Sequence, residues 1–153
     1  MVTTIRPHLA LSVVALAALA ACSHRDDPED TQTVMVAICG VVADGPLSGA
    51  TVCYDINDNE ACDTGEPTSA LTDANGNYRF EVAESSVGKH AVLALVPATA
   101  VDKDTGAAVG AALKFKSPAT SATGTQVVFV SALTTAVADM ARDTGKTVAE
   151  ARA

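Results

Sequence analysis

The sequence predicts an all-β fold, an antiparallel sandwich of about seven strands followed by a C-terminal α-helical extension. Three observations carry this expectation. Short apolar or alternating segments recur between residues 34 and 130, and Gly, Pro, Asn and Asp in turn-forming combinations separate them. Helical spacing is absent from that span and begins only after Ser131. The chain has no Trp, two Tyr and three Phe, so its core must be built from Val, Leu, Ile and Ala.

Residues 1–21 read as an export leader. Arg6 supplies one positive charge, and residues 9–21 are apolar apart from Ser12. That run is well short of the roughly 20 residues a membrane-spanning helix needs, and small residues precede its end. The run closes on "LAAC", Leu19-Ala20-Ala21-Cys22. This resembles the lipobox of bacterial lipoproteins, which implies cleavage before Cys22 and a lipid on its thiol. In a two-membrane envelope, Ser23 after that cysteine resembles an outer-membrane lipoprotein. Residues 22–33 then form an acidic tether, "SHRDDPEDTQT" after the cysteine, with too little apolar surface to fold.

The sandwich module is expected over residues 34–130. "VMVAICGVV" (34–42) is a near-continuous apolar run, as in a strand covered on both faces. "DGPLSG" (44–49) is turn chemistry, and "ATVCYD" (50–55) resumes as a strand. "PTSALTD" (67–73) predicts a short strand, and "DANGN" (73–77) a hairpin turn. In "YRFEV", Tyr78, Phe80 and Val82 alternate with Arg79 and Glu81, the period of a half-buried strand. "HAVLALV" (90–96), "AAVGAALKF" (107–115, weakened by Gly110) and "TQVVFV" (125–130) complete the set.

Residues 131–153 are the helical extension. Leu133, Val137, Met140 and Ala141 recur at helical spacing, Ser131 can cap the start, and Gly145 suits a left-handed stop. Thr147 and Glu150 then stand three apart, as in a capping box. So short a second helix cannot sustain itself, and the expectation is a truncated front part of a longer protein.

Within residues 38 to 82, "GVVADGPLSGATVCYDINDNEACDTGEPTSALTDANGNYRFEV" resembles the carboxypeptidase-regulatory-like and SdrD-B-like modules of bacterial surface proteins. The shared pieces are "G.V.DGPLSGATV", "D.N.N...D.GEP" and "TDANGNY.F". The resemblance implies an immunoglobulin- or prealbumin-like sandwich serving as a non-catalytic cell-surface module. "VSALTTAVADMA" (130–141) resembles a segment that follows such modules in longer bacterial lipoproteins.

The stretch "CYDINDNEACDTGE" (53–66) is the candidate site. With Asp55 as position one of a twelve-residue loop, Asn57 falls at three, Asn59 at five, Ala61 at seven, Asp63 at nine and Glu66 at twelve. That is the ligand spacing of an EF-hand calcium loop, with Ala61 offering its carbonyl. Calcium suits it, being a hard cation that takes six to eight oxygens. Glu60 stands where such loops use glycine, and the flanks are strands, which excludes an EF-hand domain. The SdrD-B resemblance implies calcium in a loop of this kind between strands. No Lys or Arg lies between Arg25 and Arg79, against eleven Asp or Glu, so the carboxylates repel and a divalent cation would relieve them. The rival reading is a polar hairpin with solvated carboxylates.

Export implies an oxidising space. With Cys22 given to lipid, three cysteines remain, an odd number. Cys53 and Cys62 flank the acidic stretch and are the expected bridge, leaving Cys39 as a buried thiol; a bridge from Cys39 to either is the alternative. Asp73, Asn75 and Asn77 are a second metal candidate, set against a plain turn.

The net charge of −8 argues against nucleic acid as a partner. His90 is the one histidine outside the leader and tether, and no nucleophile–base arrangement, zinc cluster or phosphate loop is present, so no enzyme is expected. The expected role is a lipid-anchored structural or interaction module of the cell envelope, meeting the membrane through Cys22 and an envelope protein or glycan through its surface. The alternatives are a glycan- or peptide-binding module and an accessory domain of a longer surface enzyme.

Overall fold

β1 (Met35–Val41) and β4 (Asn77–Ala83) pair antiparallel, with Ile38 opposite Phe80 and Val36 opposite Val82. Their alternation places Ile38, Tyr78, Phe80 and Val82 on one face, where all four are buried. A computed structural model describes residues 33–119 and 124–153 of the chain. The leader, Cys22 and the tether up to residue 32 lie outside them.

The remaining elements in chain order are β2 (Leu47–Ser48), β3 (Thr51–Asp55), β5 (Ala91–Val96), β6 (Val101–Asp102), β7 (Leu113–Lys116), β8 (Gln126–Val127), α1 (Ala132–Thr144) and α2 (Val148–Ala151). They form three sheets, ordered β4-β1-β8, β2-β6 and β3-β5-β7. The two three-stranded sheets share one core. Ile38, Tyr78, Phe80 and Val82 from the first meet Val52, Tyr54, Val92, Ala94, Val96 and Phe115 from the second, in a single buried cluster. Two layers closed on one apolar core make the fold sandwich-like, mostly β with a short C-terminal helical part. Tyr54 and Tyr78 bury their rings and place their hydroxyls on backbone carbonyls, Ser86 at 2.6 Å and Val128 at 2.7 Å. Burial, and then the nearby Cys39, pushes the Tyr78 hydroxyl above its ordinary range.

Four local expectations change. The described strands number eight rather than seven. The 67–73 segment makes no strand of its own. It runs beside β3 through a bridge at Thr68 and bonds from Ser69 N to Val52 O and Thr72 N to Ala50 O, but Pro67 has no N–H to extend a ladder. Of 107–115 only the end is strand, because Gly106 and Gly110 adopt φ of +66° and +79° and turn the chain. The sheets are not wholly antiparallel either. β8 runs parallel to β1, which a long connection permits and a hairpin does not.

Two glycines are required by close approach. A Cβ on Gly76 (φ +72°) would stand 2.7 Å from the Val42 carbonyl, and one on Gly40 would overlap the Val128 carbonyl, where β8 meets β1. The helix signals hold. Ser131 caps α1 from Thr134 N, Gly145 ends it at φ +65°, and Thr147 and Glu150 form the reciprocal box that starts α2.

Candidate functional site

β3 leads into the acidic stretch through Cys53, which is fully buried and bonded to Cys62. The expected bridge is therefore present, and among the described residues Cys39 is the free thiol, half-buried on β1. The bond closes a short loop that carries Asp55, Asn57, Asn59 and Ala61 of the sequence-predicted calcium ligands; Asp63 follows it directly and Glu66 lies farther along.

Inside the loop the oxygens are engaged with the loop's own donors. Asp55 is buried, and its carboxylate accepts Asn59 N at 3.1 Å and Glu60 N at 2.9 Å. Glu66 accepts Ile56 N at 2.8 Å and Asp63 N at 3.0 Å, which draws the two ends of the loop together. Asp63 Oδ2 accepts the amide nitrogens of Asn57 at 2.9 Å and Asn59 at 2.7 Å. Those two bonds, Asn57 first, hold the Asp63 carboxyl below its ordinary range. The amide oxygens of Asn57 and Asn59 accept Asn59 N and Ala61 N. All six positions thus offer oxygen in one loop, the donor kind calcium takes. Among the described residues, no group of three or more His, Cys, Asp or Glu converges on a single metal position. Both amides would have to exchange their bonds to Asp63 before their oxygens could turn to a cation.

The expectation that this loop lacks basic neighbours is corrected. Three cations from distant segments reach Glu60. Lys116 Nζ lies 2.7 Å and Arg142 Nη1 3.0 Å from Oε1, and Lys114 Nζ lies 3.8 Å from Oε2. Lys114 Nζ also donates to the Glu60 carbonyl at 2.6 Å. Asp139 closes the network, 2.6 Å from Lys116 and 3.1 Å from Arg142. The Lys116 hydrogen bond, then its charge, holds the Glu60 carboxyl below its usual value. Burial alone would lower Lys116, but the hydrogen bonds it donates to Asp139 and Glu60, and their charges, carry it above its usual value.

Strand geometry explains the convergence. Cys53 stands opposite Leu93, and Leu93 opposite Lys116, so the three form one row across the outer face of β3-β5-β7. Lys114 shares that face two residues away, while Phe115 points into the core. The disulfide places Glu60 on the side from which both lysines project. This also gives Glu60 a reason to occupy a glycine position. It adopts φ +58°, as Asp58 adopts +55°, in the left-handed region that costs a non-glycine residue energy.

His90 sits just before β5, with Nδ1 3.7 Å from Asp58 and its ring edge-on to Tyr54. Its backbone N–H donates to the Tyr54 hydroxyl at 3.2 Å. Asp73 accepts Asn75 N, Asn77 N and the Asn77 amide, which is a turn closed on itself. The sequence did not reveal the Glu60 network. Its one signal was the Lys114-Phe115-Lys116 alternation.

No family model, curated protein or solved structure matches the chain.

Proposed function

We propose that the chain is a lipid-anchored, non-catalytic module of the bacterial cell envelope, structural or interacting in role, with an immunoglobulin- or prealbumin-like sandwich. The observation that carries the reading is how the charged groups of the candidate site are spent. Asp55, Asp63 and Glu66 close their own loop, and Glu60 binds the loop to β7 and α1. Such a constellation supports a staple, since each of these four carboxylates is taken up by donors of the fold. Two three-stranded sheets over one core support the sandwich class, while the parallel β1–β8 pair departs from the all-antiparallel pattern.

Membrane attachment rests on "LAAC" and the lipid it implies at Cys22. Among the described residues no helix is long and apolar enough to cross a membrane. Detergent phase partitioning of the expressed full chain tests the anchor. Wild type should enter the detergent phase and Cys22→Ser the aqueous phase; equal partitioning of the two would remove the lipoprotein reading.

Calcium is the proposed ligand of the loop, held by Asp55, Asn57, Asn59, the Ala61 carbonyl, Asp63 and Glu66. When bound it would neutralise the carboxylates and cross-link the loop. Because the Asn57 and Asn59 amides must leave Asp63, affinity belongs with extracellular modules, roughly 10⁻⁴ to 10⁻³ M. Titration calorimetry with millimolar calcium should show saturable heat that Asp55→Asn abolishes. No heat from wild type would sink this part of the proposal.

A further inference from the structure

We propose that α1 is a releasable strap over the edge of sheet β3-β5-β7, and that the Cys53–Cys62 loop is its lock, opened by a dithiol. None of the residues of α1 is buried. Of its large apolar side chains, Leu133 is 75% and Met140 49% exposed, and Val137 is half-buried. Its hold is polar. Thr134 Oγ1 donates to the Lys116 carbonyl at 2.9 Å, and Thr135 Oγ1 accepts Lys116 N at 2.9 Å. These two hydroxyls engage backbone groups of β7, an edge strand that otherwise offers them to pairing. Farther along the helix, Asp139 and Arg142 join Lys116 and Glu60.

Between the loop and the helix lies a cavity of about 390 Å³, lined by Asp55, Glu60, Lys116, Pro118, Ala138 and Arg142 among others. The helix is thus bridged to the loop by charges across a gap, without a sealed apolar seam. An element with few buried contacts and a polar hold belongs to the low-stability end of a fold.

The lock is Glu60. It stands two residues before Cys62, and the bond to Cys53 fixes it beside the row that ends in Lys116. Its left-handed backbone persists only while the surroundings impose it. Cys53 is fully buried and Cys62 half-buried, so Cys62 is the side of the bond more open to a dithiol. Its thiolate attacks Cys62 Sγ, the S–S bond breaks, and Cys53 leaves as a thiolate that takes up a proton. The second thiol then displaces Cys62, so the dithiol is oxidised to a disulfide and both cysteines become thiols. Glu60 is freed, Arg142 loses its anchor on the loop, the Lys116–Asp139 pair loses the carboxylate that shared its charge, and α1 loosens from the edge of β7.

Hydrogen exchange of the full chain, read by mass spectrometry, tests this. Three samples are compared: oxidised wild type, wild type with dithiothreitol, and oxidised Glu60→Gln. Amides of residues 136–144 should exchange roughly fivefold faster in the second and third samples, with those of β1 and β4 unchanged. Unchanged α1 exchange in Glu60→Gln would overturn the proposal. So would loss of protection in β1 and β4 together with α1, because the bond would then merely support the whole fold.

Discussion

On its inner face β5 gives Val92, Ala94 and Val96 to the shared core, against Tyr54, Phe80 and Phe115. On its outer face Leu93 is as fully buried, yet it lies outside that core, in a row with Cys53 and Lys116. The inner face is covered by non-directional apolar contact, to which many residues contribute and no single geometry is essential. The outer side is organised by a covalent bond and a few charges that must meet at one point. Partly exposed ion pairs contribute individually only about 0–1 kcal/mol. One sheet thus has a permanent side and a conditional side, according to what covers each.

The largest expected effect is a contrast between the two sides. Phe80→Ala removes a buried ring stacked 5.9 Å from Tyr78 and should cost about 3–5 kcal/mol. Leu133→Ser removes a large apolar side chain from the outward face of α1 and should change stability by less than about 0.5 kcal/mol. Urea unfolding of both variants checks the pair. A loss above about 2 kcal/mol for Leu133→Ser would mean that α1 buries its apolar face, contrary to the structure.

The permanent side was the more legible in the sequence, for the same reason. Tyr78, Phe80 and Val82 announce their strand and its inner face because burial repeats with the pleat. Ser131, Gly145 and the Thr147–Glu150 pair announce the helix ends because caps are local chemistry. The Cys53–Cys62 bond was legible because its partners are near in sequence. Glu60 was not, since its partners Lys114 and Arg142 stand 54 and 82 residues away. No periodicity tells which distant cation will reach a loop. Reading the last part of 107–115 as a strand ending at Phe115 also hid the second lysine of the pair. The apolar spacing of α1 gave the helix correctly, but spacing alone does not say which face meets the sheet. Thr134 and Thr135 bond to β7 and Ala138 and Ala141 line the cavity beside it, while Leu133 and Met140 point outward.

The smaller effect is the pH response of the conditional side. Glu60 has its pKa lowered in the fold, so its contribution is present above the ordinary value of 4.5 and is lost as pH falls through the depressed value. Lys116 has its pKa raised, so its contribution is present below the ordinary 10.5 and is lost as pH rises through the raised value. Asp63 and Asp73 are also lowered and add to the acid limb. Comparing wild type with Glu60→Gln removes their contribution, because both chains carry them. The difference in Tm should form a plateau between the two ordinary values and shrink at both ends. Glu60 is 39% exposed, so solvent discounts the interaction to about 1 kcal/mol, or roughly 4 °C of Tm. A difference that stays constant from about pH 3 to pH 7 would show that Glu60 acts through something other than its charge.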